Sequence, residues 1–257
     1  MTTIIPIVNQ KGGVGKTTTT VNLATSLALG GLRVLVIDLD PQGNCSSSFG
    51  VNKEELTAHS YHLLLGQASL EEVIVQSEVD GLHLVPTNMN LAGAEVELVT
   101  EMGREGRLSE ALKGRIEQYD VILLDCPPSL GLITLNALTA ADGLLVPLQC
   151  EYFSLEGVSQ LLRTLELVQS RINPKVKLLG VVLTMFDRRN KLSFSVQDEV
   201  QNYFGELLFE TRIPRNVRLS ESPSHGKPIA LYDRRSSGAK AYEDLAAELR
   251  ERLEAQA

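Results

Sequence analysis

The residues with the clearest chemical potential form one short stretch, Lys11-Gly12-Gly13-Val14-Gly15-Lys16-Thr17-Thr18. Glycines let a backbone curl so that consecutive N–H groups point at one anion. The positive end of a following helix strengthens that attraction. Lys16 can reach the β- and γ-phosphates of a nucleotide as a point charge, and Thr17 can place its hydroxyl on Mg²⁺. We call residues 11–18 the phosphate loop.

The segments on either side of the phosphate loop are those that a phosphate site needs. The apolar run at residues 4–8 predicts a short buried strand, and residues 19–29 predict a helix that begins near Gly15. A strand, a glycine loop and a helix in this order make phosphate binding a specific prediction. The standard pattern needs a glycine at position 10, where this chain has Gln10, and the chain carries a second lysine, Lys11.

Carboxylates stand at the ends of two other predicted strands. Asp38 closes a near-continuous apolar run at residues 33–38 and Asp40 follows it, while Asp125 closes the run Val121–Asp125. Ligands of open α/β sheets bind beyond the carboxyl ends of the strands, so we expect these side chains near the phosphate loop. A carboxylate delivered there by a buried strand suits Mg²⁺ held through water.

The alternation of apolar runs with helical segments predicts the fold. Further strands are expected at residues 82–86, 144–149, 177–184 and 207–213. Helices are expected at residues 91–99, 107–118, 154–172 and 239–257, with two short helices within residues 51–79 and one more between the strands at residues 177–184 and 207–213. This order indicates an α/β protein with a single doubly wound, mostly parallel sheet flanked by helices. With no internal repeat and no low-complexity linker, residues 1–257 are expected to form one domain.

The composition is that of a soluble globular protein, with 43% hydrophobic and 22% charged residues. No apolar run reaches the length of a membrane span, and a strand is predicted where a signal peptide would stand. The three cysteines, Cys45, Cys126 and Cys150, show no paired metal spacing. Such sparse cysteines suggest a reducing cytoplasm.

Charge is distributed unevenly along the chain. The formal net charge is −8, which argues at first against nucleic acid. Residues 171–240, however, contain 13 Lys and Arg against 7 Asp and Glu. This asymmetry suggests one anion-binding face on an acidic body, and a solvated surface with uneven charge is the alternative.

The phosphate loop with Lys11 resembles that of the deviant Walker A ATPases, which include ParA/Soj partition proteins, MinD and the nitrogenase iron protein. Residues 214–228, PRNVRLSESPSHGKP, make the match tightest to the chromosomal ParA/Soj branch, and the resemblance covers nearly the whole chain. It implies a weak intrinsic ATPase that uses ATP and Mg²⁺ and forms a sandwich homodimer on ATP binding. It also implies non-specific DNA binding, hydrolysis stimulated by a ParB-like centromere-binding protein, a cytoplasmic, nucleoid-associated location and no membrane partner.

The same resemblance implies roles for individual residues. In this family the first lysine, here Lys11, crosses to the partner's ATP, and the second aspartate of switch I (residues 38–44) positions the attacking water. The implied catalytic residues are Lys11, Lys16 and Asp40. The implied metal site consists of Thr17, Asp38 and Asp125. The nucleotide contacts are residues 11–18 together with Met185, Pro214 and Arg215, which flank the adenine.

DNA contacts are implied at Arg189 and Arg218, which lie in the basic region after two predicted strands. Side chains in such loops and helix starts are free to project. The same region supplies weaker candidates: Arg188, Lys191, Arg215, Lys227, Arg234 and Arg235. The alternative is that Arg189 and Arg218 are surface charges paired with Asp187 and Glu221.

Three other functions use a related loop. A MinD-like ATPase anchors to membranes through a basic C-terminal helix, but residues 239–257 carry three basic and five acidic side chains, which suits a docked helix better. A nucleotide-driven reductase needs cysteine ligands for a cluster, and only Cys126 stands near the predicted site. A small-molecule kinase would use the standard loop, which Lys11 disfavours.

Overall fold

The computed structural model describes residues 2–151 and 154–255, the side chains of 154–157 excepted. Within these ranges the strands β1 to β8 are, in chain order, Thr3–Ile7, Val34–Asp38, Val75–Gln76, Leu82–Val85, Val121–Asp125, Gly143–Gln149, Lys177–Phe186 and Leu208–Pro214. The helices α1 to α12 are Lys16–Leu29, Asn44–Ser48, Ser60–Leu64, Leu70–Val73, Leu91–Glu97, Arg107–Leu112, Leu132–Ala140, Ser154–Arg171, Lys191–Phe204, Val217–Glu221, Ile229–Tyr232 and Ser237–Glu254. Single 3₁₀ turns occupy Leu98–Thr100, Arg104–Gly106, Gly205–Leu207 and Ser222–His225.

The strands form one sheet in the order β3-β4-β2-β5-β1-β6-β7-β8. All neighbouring strands run parallel except β3, which pairs antiparallel with β4. The doubly wound, mostly parallel α/β sheet predicted from the sequence is confirmed. In the centre, Asp125 lies opposite Ile7 on one side and Asp38 on the other. The carboxyl ends of β2, β5 and β1 therefore meet at one edge of the sheet.

Helices cover both faces of this sheet, which explains why its strands are continuously apolar. On β2, Leu35 and Ile37 pack into a core shared with α3 to α9, whereas Val34 and Val36 pack into a core shared with α1, α2 and α10 to α12. Successive side chains of a strand point to opposite faces, and here both faces are dry. A register slip of one residue would move Asp38 away from the edge that it shares with Asp125.

Most differences from the sequence-based prediction concern short elements, but the nine-residue helix α7 was not predicted either. The two helices expected within residues 51–79 are α3 and α4, but the two-residue strand β3 follows them and was not predicted. Helix α2 was also missed, because its sequence NCSSS has no apolar periodicity. Helix α6 stops at Leu112 rather than at residue 118, and Gly114, with φ of 68°, lies in the left-handed region just after it.

Candidate functional site

The phosphate loop bends sharply between β1 and α1. Gly13 and Gly15 have φ values of 75° and 90°, which favour glycine over any residue with a Cβ. Gly15 caps α1, whose first residue is Lys16. A Cβ placed on Gly12 or Gly13 would meet no atom within 4 Å. The loop therefore borders open space in the single chain, as a loop that receives an anion must.

Lys16 lies inside the loop with only 7% of its surface exposed. Its ammonium Nζ donates a hydrogen bond of 3.2 Å to the carbonyl oxygen of Lys11. Burial lowers the pKa of Lys16, and the nearby carboxylates of Asp125 and Asp40 oppose that shift. A poorly hydrated cation gains more from an incoming anion than a solvated one does.

Asp125 ends β5 and is fully buried. Two hydroxyls of α1 hold its carboxylate: Thr17 Oγ1 donates to Oδ2 at 2.8 Å, and Thr20 Oγ1 donates to Oδ1 at 3.1 Å. Burial raises the pKa of Asp125, as does the negative charge of Asp38. Thr20 was not predicted from the sequence, although it lies one helical turn after Thr17 and thus on the same face.

Asp38 ends β2 beside Asp125 and is also fully buried. Its Oδ2 accepts hydrogen bonds from Ser46 N at 2.8 Å and Ser46 Oγ at 2.7 Å, and its Oδ1 accepts one from Asp40 N at 3.2 Å. Burial raises the pKa of Asp38, and the donors from Ser46 oppose that shift. Two neighbouring carboxylates and the Thr17 hydroxyl form a set of hard oxygen donors, which fits Mg²⁺.

Asp40 is half-buried in the turn that follows β2. Its Oδ1 accepts a hydrogen bond of 3.0 Å from Gln42 N, and its carbonyl oxygen accepts one of 2.8 Å from Gly43 N. Its carboxylate is close enough to Lys16 to act on the pKa of that ammonium. The three aspartates predicted from the sequence thus gather at the edge that carries the phosphate loop.

A pocket of about 550 Å³ opens beside the other flank of the loop. It brings Met185, Pro214 and Arg215 together with Gly15 and Thr18, as expected of residues that flank a nucleotide base. Among the described residues outside glycine, Met185 alone has a positive φ, of 51°. Its backbone is therefore strained where β7 ends and the pocket begins.

Two residues near this pocket were not predicted from the sequence. Thr184 Oγ1 donates a hydrogen bond of 2.8 Å to the carbonyl oxygen of Val14, which ties the end of β7 to the phosphate loop. Tyr242 of α12 lines the pocket, is buried, and has its hydroxyl 3.2 Å from Thr19 Oγ1. Neither residue belongs to a local motif, so only the fold reveals them.

Lys11 does not share the buried position of Lys16. Its Nζ lies 2.6 Å from Glu151 Oε2, and both side chains are more than a third exposed, at 39% and 48%. Its backbone N–H donates to Asn9 Oδ1 at 3.0 Å, and Asn9 is in turn bonded to the carbonyl oxygen of Pro147. The backbone at Lys11 is therefore fixed, while its ammonium remains at the surface.

Arg189 and Arg218 lie at the same sheet edge, beyond β7 and on α10 beyond β8. The side chain of Arg189 is 89% exposed and donates from Nε and Nη2 to Asp187, each at 3.0 Å. This contact holds the pKa of Asp187 well below its usual range, at about 2. Arg218 pairs with Glu221 at 2.9 Å and with Asp233 at 3.5 Å. The weaker candidates are exposed as well: Arg188, Lys191, Arg215, Lys227, Arg234 and Arg235.

Two features bear on the alternative functions, a membrane-anchored ATPase and a reductase with a shared metal cluster. Helix α12 buries Tyr242, Leu245 and Leu249 in the core that it shares with α1. Among the helices at residues 2–151 and 154–255, none combines the length and apolar character of a bilayer-crossing segment. Cys126 is a buried free thiol, and burial raises its pKa, so it is poorly suited to bind a shared cluster at the surface.

Comparison with known proteins finds similar sequences and structures over most of the chain. Residues 2–178 match a family model described as an AAA domain. The sporulation initiation inhibitor protein Soj of Bacillus subtilis is 53% identical over 246 residues, which cover 96% of this chain and 97% of that protein. The chromosome partitioning protein ParA of Myxococcus xanthus is 52% identical, covering 97% of this chain and 88% of that protein. A crystal structure of a cobyrinic acid a,c-diamide synthase from Mycobacterium smegmatis with bound ADP and magnesium has a TM-score of 0.88 and 39% identity, covering 100% of this chain and 97% of that one.

Proposed function

The chain belongs to the ParA/Soj family of chromosome-partitioning ATPases, and we propose that it distributes DNA through an ATP-driven cycle of dimer formation, DNA binding and hydrolysis. The observation that carries this proposal is the position of its two loop lysines. Lys16 is buried in the chain's own site, whereas the ammonium of Lys11 lies outside at the surface. A second cation that its own pocket does not use can serve another copy's nucleotide.

ATP and Mg²⁺ are the cofactors that the buried site fits. Lys16 and the backbone N–H groups of the phosphate loop bind the phosphates. Thr17, Asp38 and Asp125 hold the metal, which when bound offsets the charge of the phosphates. The pocket lined by Met185, Pro214 and Arg215 takes the base. The whole chain acts as one ATPase domain.

Asp40 orients the attacking water in this proposal. Its half-buried carboxylate stands in a turn held by Asp38 Oδ1, so the water-positioning group is tied to the metal site. A group that acts on the attacking water stabilises the transition state rather than bound ATP. Because Asp40 acts in the transition state, we infer that Asp40→Ala traps the ATP-bound dimer. We also infer that turnover is slow until a ParB-like partner completes the site.

The dimer binds DNA through its basic edge. Arg189 and Arg218 contact backbone phosphates, and Lys11 joins the two protomers by reaching the partner's nucleotide. Both arginines are exposed at the edge that carries the nucleotide site, so nucleotide binding and DNA binding share one end of the sheet. Contacts to phosphates carry no sequence information, and the DNA binding is therefore non-specific. Such a protein works in the cytoplasm on the nucleoid.

Retention on DNA and on anionic lipid vesicles tests the proposal against a membrane role. Asp40→Ala protein is incubated with ATP or ADP, and then with DNA-coated or vesicle-coated beads. We expect retention on DNA with ATP, little with ADP and none on vesicles. Lys16→Ala, which loses the main phosphate-binding cation, is expected to be lost from DNA with either nucleotide. Retention on vesicles alone would instead favour a MinD-like role.

A further inference from the structure

The two buried aspartates differ in what holds them. Asp125 is held by hydroxyls of α1, the helix that follows the phosphate loop. Asp38 receives nothing from that helix among its hydrogen bonds in the described structure: its donors are Ser46 N, Ser46 Oγ and Asp40 N. Two of these three hydrogen bonds come from Ser46 of α2. The position of Asp38 therefore depends on a residue that no motif in the sequence marks.

The direction of the hydrogen bonds at Ser46 follows from a third partner. The backbone N–H of Thr87, beyond β4, donates to Ser46 Oγ at 2.9 Å. An amide N–H can only donate, so the hydroxyl accepts there and its single proton points to Asp38 Oδ2 at 2.7 Å. Ser46 is completely buried, and water cannot replace either partner without a rearrangement.

Thr87 is itself anchored. Its Oγ1 accepts a hydrogen bond of 2.7 Å from Ser60 Oγ at the start of α3, and Ser60 N donates to the carbonyl oxygen of Pro86 at 3.0 Å. Ser60 and Thr87 are completely buried as well. A continuous chain of hydrogen bonds thus links Asp38 through Ser46 to the segment after the neighbouring strand β4. Such a chain restricts the rotation of the carboxylate at its end.

We propose that Ser46 is a positioning residue, which fixes the Asp38 carboxylate beside Asp125 and thereby sets the affinity of the site for magnesium. It does not itself touch the nucleotide or the metal. Partners that orient a metal-binding side chain typically change metal affinity or activity by about 10- to 100-fold when they are removed. The inference rests on the metal site proposed above and adds to it the residue that holds one ligand in place.

The same contacts give Ser46 a second consequence. Asp40 N donates to the other oxygen of Asp38, so the carboxylate fixed by Ser46 also anchors the turn that carries Asp40. A carboxylate that rotates on losing Ser46 Oγ would loosen this turn. We therefore expect the turnover number of Ser46→Ala to fall more than its Michaelis constant for ATP rises.

A matched control lies in the same short helix. Ser48 Oγ donates a hydrogen bond of 2.7 Å to the carbonyl oxygen of Asn44, and Ser48 is also buried. Ser48→Ala therefore removes a second buried hydroxyl from α2, at 4% exposure against 0% for Ser46, and its hydrogen bond is equally long but does not go to Asp38. Ser46→Thr keeps the hydroxyl and serves as the conservative rescue. Ser46→Cys keeps the side-chain size with a much weaker donor, and it can be measured if Ser46→Ala does not fold.

The experiment is a titration of each protein with a fluorescent ADP analogue, first in EDTA and then at increasing Mg²⁺. In EDTA all variants are expected to bind the analogue within about threefold of wild type, since phosphate binding by Lys16 is intact. The increase in affinity for the analogue that Mg²⁺ causes is expected to be about tenfold smaller in Ser46→Ala than in wild type. We expect a smaller reduction in Ser46→Cys, and none in Ser48→Ala or Ser46→Thr.

Two results would overturn the proposal: equal Mg²⁺ enhancement in Ser46→Ala and wild type, or equal losses in Ser46→Ala and Ser48→Ala. A folded Ser46→Thr protein that has lost the enhancement would exclude the hydroxyl as its source. Failure of the metal site itself is distinguishable, because wild-type protein would then show no enhancement by Mg²⁺ at all.

Discussion

Lys11 and Glu151 form an ion pair in which Nζ and Oε2 are 2.6 Å apart, although 140 residues separate them in the chain. The contact joins the start of the phosphate loop to the segment just after β6. Both side chains are partly solvated, so the pair contributes little to stability, about 0–1 kcal/mol. It can therefore open at little cost when a stronger anion approaches Lys11.

Lys11→Ala is expected to separate ATP binding from dimer formation. The single chain retains Lys16 and its phosphate loop, so ATP affinity should stay within about threefold of wild type, a change below 1 kcal/mol. The ATP-dependent dimer should be lost. Sedimentation with ATP, in the Asp40→Ala background with and without Lys11→Ala, measures the amounts of monomer and dimer. Glu151→Gln, which frees Lys11 without removing it, is the control and should dimerise at least as well as the background. A stable dimer of the Lys11→Ala protein would show that this lysine does not join the protomers.

Gly12→Val tests whether two copies meet at the phosphate loop. A Cβ at Gly12 meets nothing within 4 Å, and Gly12 does not have a positive φ. The single chain should therefore tolerate valine, with a melting temperature close to that of wild type. The phosphate loop of a second copy, packed against the first, would leave no room for valine. Light scattering should therefore show no ATP-dependent dimer. Normal ATP-dependent dimers of Gly12→Val would mean that no second copy packs against the loop at Gly12.

Much of this site could be predicted because its residues belong to local patterns. The phosphate loop, Asp38 and Asp125 each stand where a buried apolar run ends, and parallel strands bring such ends to one edge. Met185, Pro214 and Arg215 were expected together from a family resemblance, and they do line one pocket. Their contact with adenine stays a prediction.

The residues that hold the site could not be predicted, because their partners are distant in sequence. Thr184 bonds to Val14 across 170 positions, and Thr87 bonds to Ser46 across 41. Serine and threonine are common at the surface, and their types alone carry no signal of a buried role. Helix α2, which carries Ser46, has no apolar periodicity either.

Gly226→Ala is expected to destabilise the fold more than Gly103→Ala. Both glycines have similar positive φ values, 61° and 66°. The conformational cost of alanine should therefore be similar, about 1–2 kcal/mol. A Cβ at Gly226 would lie 2.9 Å from Gly50 Cα, whereas one at Gly103 meets nothing within 4 Å. We expect an additional loss of about 1–3 kcal/mol for Gly226→Ala in urea unfolding. Equal losses would mean that the Gly50 segment moves aside freely.

His59 should make stability depend on pH between about 6.5 and 4. It is buried at the start of α3, where its ring accepts a hydrogen bond from Tyr61 N, and burial together with His62 lowers its pKa to about 4. The unfolded chain binds the proton more readily, so the contribution of neutral His59 is present above pH 6.5 and lost as the pH falls toward 4. The melting temperature should therefore drop more from pH 7 to pH 5 in wild type than in His59→Asn. Equal drops would assign the acid sensitivity to other groups.

The salt dependence of DNA binding by the ATP dimer tests the proposed role in DNA partition most directly. The Asp40→Ala background is expected to hold the dimer, and Arg189→Ala and Arg218→Ala are compared with Arg115→Ala. Arg115 is an exposed arginine paired with Glu71 outside the basic region, so its loss controls for net charge. ATP hydrolysis without DNA, measured in the same arginine variants with Asp40 intact, should be unchanged.

Each lost phosphate contact should weaken binding to all DNA sequences alike. It should also reduce the slope of log affinity against log salt by about one unit, or about two where a two-fold dimer doubles the contact. We expect that change for Arg189→Ala and Arg218→Ala and a much smaller one for Arg115→Ala. Unaltered affinity and slope in both of the first two variants would contradict DNA binding by this edge, and would turn the assignment toward a protein partner or a membrane.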